Sequence, residues 1–580
     1  MVRLKSDYEV GEIPLSEYPR PQMRRESYLC LNGVWRYQKV KGGEQIQGEW
    51  KNILVPFSPE SLNSGVEEGF TLGRGETLVY EREFIATKEF LKGATMLHFG
   101  AVDQICEVFL NGVCVCAHDS GFTPFCIDVT AAIKEGENLL RVECVDETEA
   151  TERVRGKQST RPGTIWYTAQ SGIWQTVWLE SAPEKYIKSI RITPDAEKRS
   201  VFVASEYEGK QKITVYDGEA VLVEKEFSGG QVSVESDFQL WSPENPKLYD
   251  FVLETDSGDK IFSYFGVRSF SVQADKNGKK RLCLNGKPYF MNGVLDQGYW
   301  SDGLLTPPSY QAVYDELKML KEMGFNMVRK HIKVEPLVWY HYCDKLGLLV
   351  WQDFVNGGGE YKFTHVALLP FLGIHHKDDD YRYFARENTE ARYEYIHAAQ
   401  DTVNALYNCP CISTWVPFNE GWGQFDSEKI SYMVLEMDGT RFIDSVSGWH
   451  DQGREATAMR SLHTYYMPLK VPRDPRPVVL SEFGGYSKKT DGHIYNTEKE
   501  FGYKVFKTNE ALLAGLKKLF LKKLKPLIAK GLCASVYTQV SDVEEEINGL
   551  VTYDRKVIKV PVAEMRAIND EIKAESEKVE

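Results

Sequence analysis

Apolar and polar positions of this 580-residue chain follow two different rhythms, and the change falls near residue 284. Up to about residue 271, short runs of β-branched and aromatic residues alternate with turns, and no helical period is present. Five such runs lie in the first 182 residues: Thr95–Phe99, Glu107–Leu110, Val113–Ala117, Leu139–Val145 and Thr176–Leu179. Strands of this length and spacing predict an all-β sandwich, and we expect a jelly roll.

Two local patterns inside this region make sharper predictions. Asn32-Gly33 and Asn111-Gly112 predict tight hairpin turns, because both residue types tolerate positive φ. Cys114 and Cys116 share one face of a strand, and as small apolar residues both are expected to be buried.

A second all-β segment extends from about residue 184 to 271. Its strand-like runs are Ile187–Ile192, Lys212–Tyr216 and Tyr249–Leu253. Its length suits an immunoglobulin-like sandwich. We therefore predict a multidomain protein with a β-sandwich over residues 1–182, an immunoglobulin-like sandwich over 183–272 and a third domain over 273–580.

After Leu284 the chain alternates strand-like runs with amphipathic helices such as Ser309–Met323 and Leu337–Lys345. The strand candidates are Tyr289–Leu295, Asn326–Ile332, Leu348–Phe354, Ile412–Phe418, Arg441–Val446, Ser461–Tyr466, Val478–Phe483 and Ala534–Val540. These strands, with helices between most of them, fit a (β/α)8 TIM barrel better than an open sheet. In such a barrel the catalytic residues lie at the C-terminal ends of the strands.

Composition and charge restrict the classes of function. A net charge of −14 without a basic stripe argues against a nucleic-acid partner. No apolar run approaches the ~18 residues of a membrane-spanning helix, so we expect no membrane partner. The first ten residues lack a signal-peptide core and the 11 cysteines form no disulfide framework, so we expect a cytoplasmic protein.

Aromatic residues make up 12% of the chain. This content fits either a large core or surfaces that stack on sugars, and the core interpretation is favoured.

Two glutamates close predicted strands of the third domain. The stretch WVPFNEGWG, Trp415–Gly423, places Asn419 and Glu420 at the end of an apolar strand among aromatic rings. Glu482 closes the seventh strand candidate. Two facing carboxyls are what glycoside hydrolysis requires, since one protonates the leaving oxygen and the other attacks or stabilises the sugar. Structural ion pairs are the alternative, but two glutamates at barrel strand ends favour catalysis.

The same segments carry a resemblance to a known family. They are Leu31–Trp35, Val55–Ser61, Ser171–Gln175, Leu240–Pro246, Phe265–Arg268, Trp415–Glu420 and Val478–Gly485. Over essentially its whole length the chain resembles glycoside hydrolase family 2, which contains β-galactosidases, β-glucuronidases and β-mannosidases. The resemblance implies a sugar-binding-like jelly roll, an immunoglobulin-like sandwich and a catalytic TIM barrel.

The resemblance also implies roles for individual residues. Glu420 matches the family's general acid/base and Glu482 its nucleophile, which forms a covalent glycosyl-enzyme. Asn419 matches the residue that hydrogen-bonds the sugar 2-hydroxyl. Arg329 matches the arginine that holds the nucleophile ionised, and Tyr465 the tyrosine that donates to it, although plain packing is an equal alternative for Tyr465.

Aromatic neighbours and weaker candidates complete the expected site. Trp415, Phe418 and Trp422 are expected to desolvate Glu420, which favours its protonated form. The remaining substrate-binding candidates are His331, His463, Asp353, Trp449 and Lys330. The two histidines and the aspartate could equally contact the sugar directly or hold neighbouring groups in place. Trp449 could equally stack on the sugar or pack within its loop.

The resemblance leaves the sugar open. Lys330–Lys333 replaces the Ser-His-Tyr-Pro of galactosidases and glucuronidases, and Trp351–Phe354 resembles the β-mannosidase branch. Glu544–Gly549 lacks the Asn-x-Lys with which glucuronidases grip the substrate carboxylate, and its acidity is expected to repel a uronate. Three basic residues are candidates to offset that repulsion: Lys330, Lys333 and Arg555.

We therefore predict a retaining exo-β-glycosidase that acts on terminal β-linked hexosides of a small carbohydrate or glycoside, closest to a β-galactosidase. The alternatives are a β-hexuronidase or β-mannosidase of the same family, and a non-catalytic carbohydrate-binding protein. No cofactor is required, and no metal ligands are assigned, although the family allows a divalent metal or sodium ion. We also expect a homo-oligomer. The long loop Val355–Tyr383 is expected to shape the aglycone side of the site.

Overall fold

The computed structural model describes residues 2–42, 49–148 and 152–579 of the chain. Its first part, up to about residue 182, is a sandwich of two antiparallel sheets. One sheet contains, in order, Leu29–Cys30, Val177–Ala182, Ala94–Phe99 and Phe125–Asp128. The other contains Lys51–Val55, Gly33–Lys41, Glu76–Ala86, Gly136–Val145, Ile105–Leu110 and Val113–His118. Alternate residues of both sheets point inward, and Trp35, Tyr80 and Phe99 fill the core between them. The predicted sandwich is confirmed.

Two of the local predictions for this part are wrong. Asn111-Gly112 does form a tight hairpin, with φ of 53° and 83°. Asn32-Gly33 instead lies where the chain passes from one sheet to the other, and the Asn32 side chain accepts from the Val177 backbone N–H. Cys114 is exposed because its strand is the outer edge of the six-stranded sheet.

The second part is a smaller sandwich. Its three-stranded sheet contains Ile190–Asp195, Ser200–Ser205 and Gln231–Glu235. Its four-stranded sheet contains Ala220–Ser228, Lys210–Asp217, Tyr249–Thr255 and Lys260–Phe265. Ile213, Phe251 and Phe265 are buried between the sheets, as expected for an immunoglobulin-like fold. Short strands at Phe270–Ala274, Lys280–Leu284 and Lys287–Pro288 lead into the third part.

All eight predicted barrel strands are present and parallel. In chain order the first to fourth are Met291–Asp296, Met327–Lys330, Leu349–Asp353 and Ile412–Val416, the last extended by Phe418–Asn419. The fifth is split into Phe442–Ile443 and Val446–Ser447, and the others are Arg460–Thr464, Val478–Gly484 and Leu532–Thr538. The ladder runs 5-4-3-2-1-8-7-6. Ser447 of the fifth strand contacts the sixth strand by hydrogen bonds to His463 at 3.0 Å and to Ser461 at 3.4 Å.

The helices lie outside these strands. The longer ones are Tyr310–Glu322, Leu337–Leu346, Thr389–Leu406, Ser427–Met437, Asn509–Lys517 and Val562–Ser576. Shorter helical segments are Pro21–Met23, Leu62–Ser64, Thr364–Leu368, Leu369–Phe371, Lys518–Leu524, Lys525–Ile528 and Glu577–Val579. Ser309, Asn388 and Thr508 cap three of the long helices by accepting from backbone N–H groups of the first turn. Within the described residues no helix has both the length and the apolar character needed to cross a bilayer.

The two sandwiches contact the barrel at different places. The second part packs on the helix layer, where Trp241 Nε1 donates to the Asp344 carbonyl at 2.9 Å. The first part sends a loop to the mouth of the barrel, where the backbone N–H groups of Arg155 and Gly156 both donate to the Asn356 carbonyl at 3.0 Å. Paired strands Gln158–Ser159 and Tyr167–Thr168 stiffen this loop. The fold therefore brings residues of the first part to the strand ends.

Candidate active site

Five barrel strands deliver polar side chains to one mouth. Side chains alternate along a strand, so only every second residue of a barrel strand points to the centre. In the second strand this places Arg329 inside and Lys330 outside. The other contributors to the centre are Asp353, Asn419, Glu420, His463, Tyr465 and Glu482, at or just beyond the ends of the third, fourth, sixth and seventh strands.

Arg329 is the hub of the arrangement and is fully buried. Its guanidinium makes a bidentate pair with Asp353, with both N–O distances 3.0 Å. It also donates to Glu482 at 3.1 Å and to Asn419 Oδ1 at 2.8 Å. Burial opposes its charge, but Asp353 and Glu482 outweigh burial and hold the pKa of Arg329 above its usual range.

Glu482 is held as a carboxylate. One oxygen accepts from Arg329, and the other accepts a short hydrogen bond from the Tyr465 hydroxyl. Burial raises the pKa of this carboxyl, but His463 and Arg329 outweigh burial, so the pKa of Glu482 lies below its ordinary value. A buried carboxylate that stays ionised is suited to act as a nucleophile.

Glu420 lies opposite Glu482, with His463 between them. Glu420 Oε1 is 2.5 Å from His463 Nδ1, and the same nitrogen is 3.5 Å from Glu482 Oε2. One oxygen of each glutamate and one ring nitrogen of His463 all lie within 4.8 Å of one another. Glu420 has a φ of 52°, so the backbone turns sharply as the fourth strand ends.

Asn419 and His331 present further polar atoms near the pair. Asn419 Oδ1 is occupied by Arg329, while its Nδ2 is buried and has no partner among the described residues. An unpaired buried amide is costly unless a ligand satisfies it. His331 Nδ1 is 2.6 Å from Asp353, and burial, together with Lys157 and Arg329, lowers the pKa of His331 well below its usual value.

Tyr465 is fixed by a second tyrosine. Its ring stacks on Tyr503, with centroids 3.7 Å apart, and its hydroxyl is 3.1 Å from Thr538 Oγ1. These contacts leave the hydroxyl directed at Glu482, which supports the role that the resemblance implies. Trp449 is half-buried, with its ring centroid 6.4 Å from that of His463, and so lies at the margin of the centre.

Several predicted residues lie elsewhere. The Lys330 ammonium is buried on the helix side, in ion pairs with Asp296 at 2.5 Å and Glu335 at 2.7 Å, and the structure does not bring it to the carboxylate pair. Trp415 and Phe418 also turn towards the helices, where Trp415 donates to Asp438 and Phe418 stacks on a helix tyrosine. Of the three aromatic residues expected around Glu420, only Trp422 faces the mouth, because the fourth strand is interrupted at Pro417, so that Trp415 before it and Phe418 after it both face the helices.

Residues from outside the strand ends complete the mouth, and sequence reasoning missed them except for Glu546, which lies in the acidic stretch that was expected to act on the substrate. Lys157 and Trp166 come from the loop of the first part, and Trp166 lies 5.2 Å from Trp422 between ring centroids. Tyr503 and Glu546 come from barrel loops. Clustered aromatics in the stretch Thr164–Thr168 were the one available signal. Nothing in the sequence near Lys157 indicates a contact with residues 260 or more positions away.

The donor atoms at the centre do not fit a resident metal ion. Glu420, His463 and Glu482 are the one group in the described part of the chain with three closely spaced metal-ligating atoms. A cation bound there would occupy the carboxylate oxygens of the catalytic candidates, and Glu482 already accepts from Arg329 and Tyr465. We therefore assign no step to a metal.

Models of known protein families match three consecutive segments of the chain. The description "Glycosyl hydrolases family 2, TIM barrel domain" matches residues 276–566. "Glycosyl hydrolases family 2" matches residues 185–268, and "Glycosyl hydrolase 2 galactose-binding domain-like" matches residues 67–179. These ranges follow the three parts of the structure, and the barrel match alone covers half of the chain.

Individual proteins with similar sequences or structures carry different names. A β-galactosidase of Priestia megaterium is 23% identical over 500 residues, which are 80% of this chain and 46% of that protein. A β-D-glucuronidase structure of Dictyoglomus thermophilum aligns with a TM-score of 0.74 at 17% identity, over 96% of this chain and 98% of the other. A β-galacturonidase of Eisenbergiella tayi bound to galacturonate aligns at 0.69 and 18%, over 96% and 99%.

Both kinds of similarity are limited, by chain length for the curated relatives and by sequence identity for the solved structures. The chain spans about half or less of the length of these curated relatives, between 30% and 48% for the first five. The structural likeness, at 17% to 18% identity, establishes the shared fold.

Proposed function

The chain belongs to glycoside hydrolase family 2, and from that premise we propose that it is a retaining exo-β-glycosidase acting on terminal β-linked hexosides by double displacement. One observation carries the proposal: carboxyl oxygens of Glu420 and Glu482 lie within 4.8 Å of each other across the barrel mouth. Retaining enzymes hold their carboxyls about 5–5.5 Å apart, whereas inverting enzymes need about 6.5–9.5 Å to admit water. The spacing therefore supports a covalent intermediate.

In the first half of the reaction Glu482 attacks the anomeric carbon. Arg329 and Tyr465 hold its carboxylate ionised and aimed, so the nucleophile is ready before the substrate binds. Glu420 transfers its proton to the leaving oxygen as that bond breaks. The product of this half is a glycosyl group linked as an ester to Glu482, and the aglycone leaves as an alcohol.

In the second half Glu420, now a carboxylate, removes a proton from water as water attacks the anomeric carbon. The ester bond breaks and Glu482 is restored as a carboxylate. His463, which contacts both carboxyls, keeps them at a constant separation through this exchange of roles. The sugar is released with the same anomeric configuration that it had in the substrate.

Asn419 is the strongest candidate to recognise the sugar beside the anomeric centre. Its Nδ2 group is buried, unpaired among the described residues and held in place by the Arg329 bond to Oδ1. Donation to the sugar 2-hydroxyl satisfies it and strengthens as charge develops in the transition state. A non-catalytic carbohydrate-binding protein has no need of an ionised, triply supported Glu482, so we favour the enzyme.

From the sequence, the acidity of the stretch 544–546 was expected to repel a uronate and therefore counted against a glucuronidase. In the structure these glutamates bind the loop of the first part, which removes that reason. Two loops wall the mouth, one at 155–168 and one at 355–388, which favours the end of a glycan over its interior.

Turnover of 4-nitrophenyl β-galactoside, glucoside, mannoside, glucuronide and galacturonide tests the proposal. We expect hydrolysis of at least one of these, with proton NMR of the first-formed product showing the β-anomer. An α-anomer as the first product contradicts double displacement. The absence of turnover on all five, in a folded protein, contradicts the enzyme assignment.

A further inference from the structure

Lys157 is a buried lysine at the barrel mouth that the reaction described above does not use. It lies in the loop of the first part and is 4% exposed. Its ammonium nitrogen lies 4.8 Å from the ring centroid of Trp422 and 5.6 Å from those of Trp166 and Tyr167. Trp422 follows Glu420 by two residues, and the charges of both Glu420 and Glu482 act on the ammonium.

Three consecutive glutamates hold this loop against the barrel. Glu544 accepts from the Thr168 N–H at 2.8 Å and Glu545 from the Thr164 N–H at 3.1 Å. Glu546 accepts from the Tyr167 hydroxyl. We call Glu544–Glu546 the acidic clamp. Because its oxygens bind the loop, the clamp fixes the position of Lys157 instead of presenting an acidic wall to the substrate.

The Lys157 ammonium has no anionic partner within the described residues. Its one hydrogen bond there is to the Ile165 carbonyl at 3.2 Å, and it makes no ion pair. Burial lowers its pKa, whereas the more distant Glu546, Glu482 and Glu420 favour its charged form. A desolvated cation of this kind is stabilised when an anion binds to it.

The other basic residues considered from the sequence are already paired. Lys330 is bound by Asp296 and Glu335, and Lys333 donates to two carbonyls as well as to Glu335. Arg555 is paired with Glu316 at 2.9 Å. Among Lys157, Lys330, Lys333 and Arg555, Lys157 is therefore the one that can still bind an anion at the mouth.

We propose that Lys157 is a specificity-determining residue that binds the carboxylate of a hexuronic acid, so that the preferred substrates are β-hexuronides. This inference rests on the glycosidase function proposed above and adds the substrate class. Two of the three N–H bonds of the ammonium are free to donate, and a carboxylate accepts two such bonds while it neutralises the charge. A neutral hexose offers hydroxyl oxygens but leaves the charge unmatched. The bond-making steps at Glu482 and Glu420 are unchanged.

The test compares matched pairs of substrates that differ only at C6. We expect wild-type kcat/KM to be higher for 4-nitrophenyl β-glucuronide than β-glucoside, or for β-galacturonide than β-galactoside. In Lys157→Met the ratio of hexuronide to hexoside kcat/KM falls by about 10- to 100-fold, the range for a lost charge-assisted hydrogen bond. Lys157→Arg keeps more of the ratio than Lys157→Met. The exposed Lys530→Met is the control and leaves the ratio unchanged.

Defined outcomes overturn the inference. It is wrong if the wild type has a higher kcat/KM for the neutral hexoside than for the hexuronide in both pairs. It is also wrong if Lys157→Met lowers kcat/KM for hexuronides and hexosides by the same factor. Product inhibition of the wild type decides the matter even when the variant does not fold. Free glucuronate or galacturonate must inhibit more strongly than glucose or galactose, and equal inhibition overturns the inference. Turnover of neutral hexosides alone rejects this inference but keeps the glycosidase, whereas no turnover of any glycoside rejects both.

Discussion

His463 contacts both glutamates through one ring nitrogen, at 2.5 Å from Glu420 and 3.5 Å from Glu482. The two carboxyls nevertheless have different surroundings. Glu482 receives two further donors, Arg329 and Tyr465, whereas Glu420 receives neither. At the residue scale, this asymmetry supports the proposed assignment of Glu482 as nucleophile and Glu420 as the group that transfers the proton.

Substitution of each glutamate by glutamine tests the assignment. Glu420→Gln loses proton transfer, so hydrolysis of substrates with poor leaving groups falls by about 10²- to 10⁴-fold. A dinitrophenyl leaving group departs without a proton, and the glycosyl-enzyme then accumulates, because water lacks its general base. Added azide rescues turnover and gives a β-glycosyl azide.

The paired variant gives the opposite result. Glu482→Gln forms no glycosyl-enzyme with any leaving group, and azide attacks from the other face to give the α product. Mass spectrometry of trapped Glu420→Gln locates the label. A label on a residue other than Glu482 shows that the nucleophile is assigned incorrectly.

Tyr465→Phe tests the support of the nucleophile without changing its charge. The hydroxyl donates to Glu482 and helps to lower its pKa, so its removal raises that pKa. Because Glu482 reacts as a carboxylate, the acidic limb of the kcat/KM profile moves to higher pH, and the maximum falls about 10-fold. Tyr466, whose side chain is 72% exposed, provides the control. Equal profiles for Tyr465→Phe and Tyr466→Phe contradict the role.

At the scale of elements, strand parity decides which neighbours reach the mouth. Arg329 and Lys330 are adjacent, yet one lies between Asp353 and Glu482 and the other among helix-side carboxylates. In the fourth strand the alternation restarts after Pro417, so Trp415 and Phe418 both face the helices. A residue one position from a catalytic group in a barrel strand is therefore part of a different environment.

The loop 355–388, which includes the segment Val355–Tyr383 expected to shape the aglycone side, contacts the loop of the first part. Gly357 pairs with Val154 of the first part, and Tyr361 lies 5.7 Å from Trp166 between ring centroids. Its outer segment exposes large apolar side chains, with Phe363 73% and Leu372 63% exposed. Apolar side chains at the rim of a site can bind an apolar aglycone.

Replacing both exposed side chains tests this role. Phe363→Ser with Leu372→Ser is expected to lower kcat/KM about 10-fold for aryl glycosides relative to methyl glycosides, because apolar contact is lost. The order of preference among sugars stays the same. Val221→Ser, on an exposed strand of the second part, is the control. An unchanged aryl-to-methyl ratio removes the loop from the aglycone side.

At the scale of the whole molecule, the acidic clamp joins the first part to the barrel. Burial raises the pKa of Glu544 to about 7 from an ordinary 4.5, so the folded protein binds this proton more tightly than the unfolded chain. The stability that this group contributes is complete below pH 4.5 and is lost as the pH rises through 7. The clamp is therefore weaker in mildly alkaline solution.

Glu544→Gln removes that pH dependence while an amide oxygen still accepts from Thr168. Relative to wild type, the free energy of unfolding of the variant should rise between pH 5 and pH 8 by up to about 3 kcal/mol. Calorimetric melting of both proteins at the two pH values measures the difference. The exposed Glu498→Gln serves as the control. A Glu544→Gln difference that is constant with pH contradicts a raised pKa.

Local patterns were sufficient to predict the three-part fold, the eight barrel strands and the strand-end positions of Glu420 and Glu482. Strands, helices and their ends depend on residues that are neighbours in the chain, so their signals are present in any window of about 10–15 residues. Even there, Asn32-Gly33 and Cys114 were misjudged, since sheet membership and edge position depend on distant partners.

Long-range packing alone decided which charges face the substrate. Lys157 lies about 260 residues from Glu420 along the chain, and the clamp that positions it lies further still, so no local pattern connects them. The sequence showed an acidic stretch and a lysine with no evident role. Folding paired the three carboxylates with two backbone N–H groups and the Tyr167 hydroxyl, and it left the ammonium at the mouth without an anion. A buried polar group bonds to whichever partner the tertiary structure brings near, because an unpaired one is costly.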